Sequence, residues 1–337
     1  MIKILAIESS CDDTSVAIIN EDKKILYHKI STQKIHSQFG GVVPELAARE
    51  HLSRITSLVD ECFQQTKILK EELSAIAFSN QPGLLGPLFV GANFAKAYSF
   101  CLNKPLIVVN HLDAHVMANF LSDVHPDFPF LCLTVSGGHS QIVHVLDEKN
   151  FIVLGKTIDD AVGEAFDKIA KILNLSYPGG RQIDILAQQG DPHRFHFPRA
   201  KVSDLNYSFS GIKTAFKNFL AREKSNDENF IQNNLKDICA SIQNHLVDML
   251  FEKFLRAIEI TKVRDIALAG GVAANSGLRE RLWRVAEENN LRAFSPEPIY
   301  CTDNAAMIAV CALEKFKRSD FVGLDVQVYS TNFFYDD

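Results

Sequence analysis

Two histidines stand four residues apart in NHLDAHVM, at His111 and His115. On a helix this spacing puts both imidazoles on one face, where they can share a metal ion. A zinc protease built on HExxH also needs a glutamate directly after the first histidine, as the base acting on the metal-bound water. Leu112 occupies that position. The nearest carboxylate, Asp113, lies two residues from each histidine, about 200° around the helix, and points away from a shared metal. Two histidines do not complete a site, so a third ligand has to come from elsewhere in the chain. Asp303, in YCTDNAAMIAV at the start of a predicted helix, is the best candidate, although a carboxylate there also suits the helix dipole.

Other residues with chemical potential gather in short turns. ESSCDDTS places Glu8, Asp12 and Asp13 among hydroxyls. Bare carboxylates repel phosphate unless a cation lies between, so this turn suits metal or ribose contacts or proton transfer. Acidic and hydroxyl residues also favour an ordinary hairpin turn. Cys11 has no basic neighbour in the sequence and reads as packing rather than as a nucleophile. Eight of the seventeen glycines form four pairs, at 40/41, 137/138, 179/180 and 270/271. Such a pair lets backbone N–H groups approach an anion, or simply makes a tight turn. Neither GxxxxGK[ST] nor GxGxxG occurs, so two common phosphate cradles are missing. Gly137 and Gly138 lie in TVSGGHS between two strand-like runs; Gly270 and Gly271 follow DIALAG and precede an amphipathic helix, a suitable start for holding a phosphate or ribose. Asp167 in GEAFDKIAKIL and Asp184 near Gly180 in YPGGRQIDILA suit ribose hydroxyls, with a helix-start role as the alternative for Asp184.

The elements that must position these residues show a repeat. The first thirty residues read as IKILAIE, a polar turn, SVAIIN, a charged turn and ILYHKI. Residues 130–157 repeat the order as FLCLTV, SGGHS, QIVHVL, DEKN and FIVLGKT. Helical runs follow each copy, ELAAREHLSRITSLVDECFQQT and AVGEAFDKIAKILNL. Two related lobes of this kind resemble the α/β actin, Hsp70 and sugar-kinase group of ATPase folds, in which two hairpin turns face a nucleotide cleft between the lobes.

Composition agrees with two globular lobes. A chain of 337 residues exceeds what one core usually supports. With 47% hydrophobic and 23% charged residues it is an ordinary globular protein. A net charge of -6 argues against nucleic-acid binding through bulk charge but leaves room for a basic patch. One such stretch is residues 193–224, with seven Lys or Arg against two acids and six interleaved aromatics, Phe195, Phe197, Tyr207, Phe209, Phe216 and Phe219. That combination suits single-stranded RNA, although aromatic stripes are more often core. Seven cysteines without a CxxC pair suggest buried thiols rather than disulfides or a zinc ribbon. The opening MIKILAIE lacks a signal-peptide pattern and no apolar run is long enough for a membrane helix, so the expected location is the cytoplasm.

AIESSCDDTS, HLDAH, TVSGGHSQIV, GEAFDK, YPGG, YSFSGIKTA, LAGGVAANSGLR and CTDNAAMIA occur in that order. Together they resemble the tRNA N6-adenosine threonylcarbamoyltransferase family, formerly called O-sialoglycoprotein endopeptidase, from about residue 2 to residue 334. The resemblance implies transfer of a threonylcarbamoyl group from threonylcarbamoyl-AMP to N6 of adenosine 37 in tRNAs reading ANN codons. It implies a divalent metal, iron(II) or alternatively zinc, on His111, His115 and Asp303. Donor or adenine-nucleotide contacts would fall on Thr134, Val135, Ser136, Gly137, Gly138, Asp167, Gly180, Asp184 and Asn275, and Asp12 matches an acidic position implicated in activity. The histidine motif is often HxEGH-like in relatives; here the altered positions are not ligands. The implied lobes are 1–108, completed by a C-terminal helix at about 304–325, and 109–303, with the metal and nucleotide at their interface. Implied partners are tRNA, the inactive paralogue TsaB, the P-loop ATPase TsaE and a separate synthase that makes the donor, with no membrane. Within ELAAREHLSRITSLVDECF, the apolar helix face is a candidate paralogue surface as well as core. The rival classes are a metalloprotease, which Leu112 disfavours, a kinase of the same superfold, and a non-enzymatic actin-like ATPase.

Overall fold

A computed structural model describes residues 1–199 and 202–331 of the chain. Lys201 of the basic stretch, and the last three residues of the family-like region, lie outside the described residues. Cα packing divides the chain into two compact units, Met1–His125 with Pro296–Asp337, and Pro126–Ser295.

In the first unit, β1 (Lys3–Glu8), β2 (Asp13–Asn20) and β3 (Ile25–Thr32) form the expected antiparallel meander. β4 (Ala75–Gln81) and β5 (Leu106–Asn110) extend the sheet in parallel on the other side of β1, giving the order β3-β2-β1-β4-β5. Parallel strands are covered on both faces, so they need near-continuous apolar runs, and all seven residues of β4 are buried. Between the strands run α1 (Pro44–Thr66), α2 (Leu85–Leu102) and α3 (His111–Met117). α1 buries Ala47, His51, Ile55, Leu58, Val59, Cys62 and Phe63, the helical period that seats it on the sheet. Core packing is therefore the main use of its apolar face.

The second unit repeats the topology. β6 (Phe130–Val135), β7 (Ser140–Val145) and β8 (Phe151–Lys156) form an antiparallel meander, and β9 (Asp265–Ala269) and β10 (Arg292–Phe294) add in parallel, in the order β10-β9-β6-β7-β8. Its helices are α4 (Val162–Ile172), α5 (Gly179–Ala187), α6 (Ser210–Asn226), α7 (Phe230–Thr261) and α8 (Ser276–Asn289). The chain then returns to the first unit with α9 (Pro298–Cys301) and α10 (Ala305–Lys317). Residues 109–125 and 296–303 thus belong to the first unit. α3 continues directly from β5, and the returning chain is tied back across the sequence, the Ala305 N–H at the start of α10 donating to Ser15 Oγ of β2 at 2.9 Å.

The basic and aromatic stretch separates by face. Phe197, Tyr207, Phe209, Phe216 and Phe219 are buried, and Phe195 packs its ring on Phe219 and Phe230 at 5.2 and 5.5 Å between centroids. The aromatics are core or packed against it, while Arg194, Arg199, Lys217, Arg222 and Lys224 are exposed. His245 of α7 closes this cluster against Phe197, 5.7 Å between ring centroids. Burial, with Arg199 nearby, lowers the His245 imidazole to about 4. The native side chain stays neutral while the unfolded one takes up a proton below about pH 6.5. By linkage its contribution to stability falls as pH drops through that value towards 4. His245→Phe is therefore expected to flatten the decline in Tm between pH 7 and pH 4.5, measured by thermal unfolding; an unchanged slope would show the histidine is not a source of it.

All seven cysteines are free, and no helix among the described residues is long and apolar enough to cross a membrane.

Candidate active site

The carboxyl ends of β1 and β5, the edge where parallel sheets carry their ligands, bring Glu8 and His111 together. Asn110 caps α3, its side-chain oxygen accepting from the N–H groups of Leu112 and Asp113 at 2.8 and 3.3 Å. His111 is thereby the first residue of the helix and His115 sits one turn on, with ring centroids 4.6 Å apart. Asp303 precedes α10. Its neighbour Asn304 caps that helix and donates to the carbonyls of Tyr300 and Thr302, which fixes the backbone carrying the carboxylate.

Asp303 Oδ1 lies 3.4 Å from His111 Nε2 and 3.1 Å from His115 Nε2. Ligand atoms of all three residues fall within 4.8 Å of one another, so the group could hold a metal ion. Two imidazole nitrogens and a carboxylate oxygen are a donor set for a first-row divalent cation. Glu8, fully buried, reaches His111 Nδ1 through Oε2 at 3.1 Å and accepts the Ser10 N–H at 2.5 Å. Carboxylates so placed orient a ligating imidazole and leave its other nitrogen facing the metal. His115 is 1% exposed and Asp303 24%, so the aspartate is the accessible member of the set.

The charges are held by one another. Burial opposes charge on His111, yet Asp303 and Glu8 overcome it and raise the imidazole to about 10. Burial likewise opposes ionisation of Asp303, but His111 and His115 hold its carboxyl far below the usual range. Glu8 is lowered against burial by His111 in the same way. For His115 burial wins, and the ring is lowered.

Asp12 lies half-buried in the turn between β1 and β2. His51 of α1 pins this turn: Nε2–H donates to the Cys11 carbonyl at 2.9 Å, and Nδ1 is 2.7 Å from Thr14 Oγ1. Burial beside Asp12 pushes the Cys11 thiol far up, consistent with packing rather than nucleophilic use.

The other expected residues all belong to the second unit and form two groups joined by α4. In the first, β6 ends at Thr134 and Val135, and the Ser136–His139 turn is closed by the Ser136 N–H to the His139 carbonyl at 2.8 Å. Gly137 and Gly138 have open space where a Cβ would stand. Gly163, at the start of α4, packs beneath Ser136 and Gly137, and Gly270 (φ 87°) lies against the Val135 carbonyl. In the second group, Asp167 Oδ1 accepts from the N–H groups of Gly179 and Gly180 at 2.8 and 3.3 Å. Burial raises the Asp167 carboxyl despite these bonds. Asp184 stands in the middle of α5 rather than at its start, and accepts from Ser276 N and Oγ, the latter at 2.6 Å. Asn275 caps α8 and donates to Gln243 at 2.7 Å. α8 starts only after a short 3-10 turn, so Gly270 and Gly271 do not themselves form its N-terminus. Gly163 and Asp167 are one turn apart on α4, on one face, so this helix aligns both groups.

Glu8 was legible as an acid, but not as the partner of His111. Gly163 and Ser276 lie inside quoted motifs and Gln243 in none; their supporting roles emerge only from their contacts in the fold.

The solved structures this fold resembles include HypF of T. kodakarensis, at TM-score 0.63 and 14% identity over 96% of this chain and 49% of that one. Another is (R)-2-hydroxyglutaryl-CoA dehydratase component A of Acidaminococcus fermentans, at TM-score 0.57 and 16% identity, covering 95% of this chain and 100% of that one. With the duplicated five-stranded sheets, these define the class: a two-unit α/β protein of the actin-like ATPase fold. Residues 24–310 match the family model described as TsaD, tRNA N6-adenosine threonylcarbamoyltransferase. Proteins with that name from Christiangramia forsetii and Cytophaga hutchinsonii are 50% and 49% identical over 98% and 96% of this chain, and 97% and 94% of their own lengths. The chain belongs to the tRNA N6-adenosine threonylcarbamoyltransferase family and is a transferase.

Proposed function

We propose that this chain transfers the threonylcarbamoyl group of threonylcarbamoyl-AMP to N6 of adenosine 37 in tRNAs reading ANN codons, forming t6A and AMP. The observation that carries the reading is the His111–His115–Asp303 group, whose nearest buried carboxylate, Glu8, is occupied by His111 and Ser10 rather than free to activate water. A transferase gains from having no hydrolytic base beside an activated donor.

In the reaction the adenosine amine attacks the carbamoyl carbon, the new N–C bond forms, the bond to the AMP oxygen breaks, and the amine loses a proton. The anhydride is already activated, so charge stabilisation matters more than a strong base. His111, His115 and Asp303 would hold one divalent metal, iron(II) or zinc, which when bound supplies a Lewis acid for a phosphate or carbonyl oxygen. Glu8 orients His111. The open backbone at Ser136–Gly138 holds the AMP phosphate, Thr134 and Val135 end the strand that presents it, and Asp167, Gly180, Asp184 and Asn275 shape the ribose side. Asp12 receives the amine proton.

The working assembly includes TsaB and TsaE, with the donor made by a separate synthase, in the cytoplasm. Exposed Leu52 of α1 and Leu85 and Phe89 of α2 supply an apolar face for the paralogue, near where Gly86 meets Ala48.

The test is to incubate the protein with unmodified tRNA, threonine, bicarbonate, ATP and the adenylate-forming enzyme, then digest the tRNA to nucleosides. t6A is expected. No modified nucleoside, with or without the helper proteins, would sink the transfer reading in favour of an actin-like ATPase.

A further inference from the structure

We propose that the exposed face of α6 is a surface for the phosphate backbone of the tRNA substrate, with Lys213, Lys217 and Lys224 as its contacts. The proposal rests on the transfer reading above and adds where the RNA lies.

At positions i, i+4 and i+11 the three lysines fall within about 40° of one another around the helix, along about 16 Å of its length. Ile212, Phe216, Phe219 and Leu220 bury the adjoining side of the helix, so the lysines flank the core-facing stripe. Lys217 and Lys224 are exposed and Lys213 is half-buried. The helix contains one acid, Glu223, and it is paired with Arg222. None of the three lysines is in an ion pair among the described residues.

On several other helices, cations have a carboxylate one turn away. Arg49 pairs with Glu45 and Arg54 with Glu50 on α1, Lys168 with Glu164 on α4, Arg284 with Glu280 on α8 and Lys317 with Glu314 on α10. In each case a carboxylate one turn away neutralises the cation. On α6 the residue one turn from Lys213 is instead Lys217, and like charges at that spacing weaken a helix. A stripe of unneutralised cations in a chain of net charge -6 is an electrostatic footprint for a polyanion.

The stripe is also tied to the candidate donor turn. Asp159 accepts from the N–H groups of Phe209 and Ser210 and from the hydroxyls of Ser208 and Ser210, the last at 2.8 Å, and so anchors the first turn of α6. Three residues later α4 begins, with the Val162 N–H on Ser140 Oγ and Gly163 beneath Ser136 and Gly137. Because Asp159 already satisfies the α6 N-terminus, phosphate recognition falls to the lysines. RNA held along this face is one short loop from the turn assigned to the donor.

The experiment uses the full chain with its helper proteins and compares wild type, the triple variant K213Q/K217Q/K224Q and the triple Lys→Arg variant. Binding of unmodified tRNA is followed by fluorescence anisotropy across salt concentration, and KM is measured for tRNA and for threonylcarbamoyl-AMP. The glutamine variant is expected to lose about two to three from the slope of log K against log salt, roughly one per lysine. Its KM for tRNA rises, its KM for the donor is unchanged, and arginine restores both slope and KM. A glutamine variant with wild-type slope and tRNA KM overturns the α6 surface while leaving the transfer reading intact. A wild-type protein that neither binds nor modifies tRNA overturns both.

Discussion

Replacing His115 with alanine is expected to remove bound metal and lower t6A formation by more than 100-fold while the fold persists. The expectation follows from where the charges go. In His115→Ala, Asp303 keeps His111 as its partner at 3.4 Å, and Glu8 keeps His111 at 3.1 Å, so no buried carboxylate is stranded. Replacing His111 as well should abolish transfer, but it leaves Glu8 and Asp303 facing each other without a cation. Breaking a buried pair in that way costs about 3–5 kcal/mol, so the double variant should fold with a lowered Tm. Glu8→Gln preserves shape and keeps an acceptor for Ser10 while removing the charge on His111. Loss of an outer partner of this kind costs roughly 10–100-fold in metal affinity or activity. Metal analysis of protein purified without chelators or a histidine tag, alongside the nucleoside assay, checks all three. Full activity of metal-free His115→Ala would refute metal-dependent transfer.

Much of the fold was legible because its elements are punctuated. Polar turns of Ser, Asp and Gly separate buried strands, and the same punctuation recurs at SSCDDT and SGGHS, so both meanders appear where alternation of run and turn puts them. The lobe boundaries were less legible. Whether residues after β5 stay with the first unit depends on α3 continuing from Asn110 and on Ser15 accepting the Ala305 N–H, contacts between residues far apart in sequence. The metal group shows the same limit. Spacing aligned His111 with His115, but Asp303 is 188 residues from His115 and entered as a candidate only as an acid at a predicted helix start, a reading the resemblance then strengthened. Glu8 could be recognised as an acid, yet its role depends on β4 lying between β1 and β5 in the sheet. Composition over residues 193–224 left core and surface roles open for a different reason: it sums over side chains on different faces, and the structure buries most of the aromatics while Lys217 and Lys224 stay exposed.

Gly163→Ala and Gly138→Ala are expected to damage transfer in distinguishable ways. A Cβ on Gly163 would stand 2.5 Å from the Ser136 carbonyl oxygen and 2.8 Å from Gly137 Cα. Both are backbone atoms, so either α4 or the turn has to move, at about 1–3 kcal/mol of overpacking. A shift approaching 1 Å in a group that positions the donor costs on the order of 100-fold in rate. Because Asp167 sits one turn along α4, the same movement disturbs its bonds to the Gly179 and Gly180 N–H groups. The Gly163 variant should therefore show a lower Tm and a lower kcat together. Gly138 is the opposite case: nothing lies within 4 Å of an added Cβ. Gly138→Ala should leave Tm at the wild-type value, and the methyl should instead obstruct close approach of a phosphate to the backbone. The expected result is a raised KM for threonylcarbamoyl-AMP with tRNA affinity unchanged. Thermal unfolding and steady-state kinetics on the two variants separate the roles, and an unchanged donor KM in Gly138→Ala would remove the Ser136–Gly138 turn from the donor site.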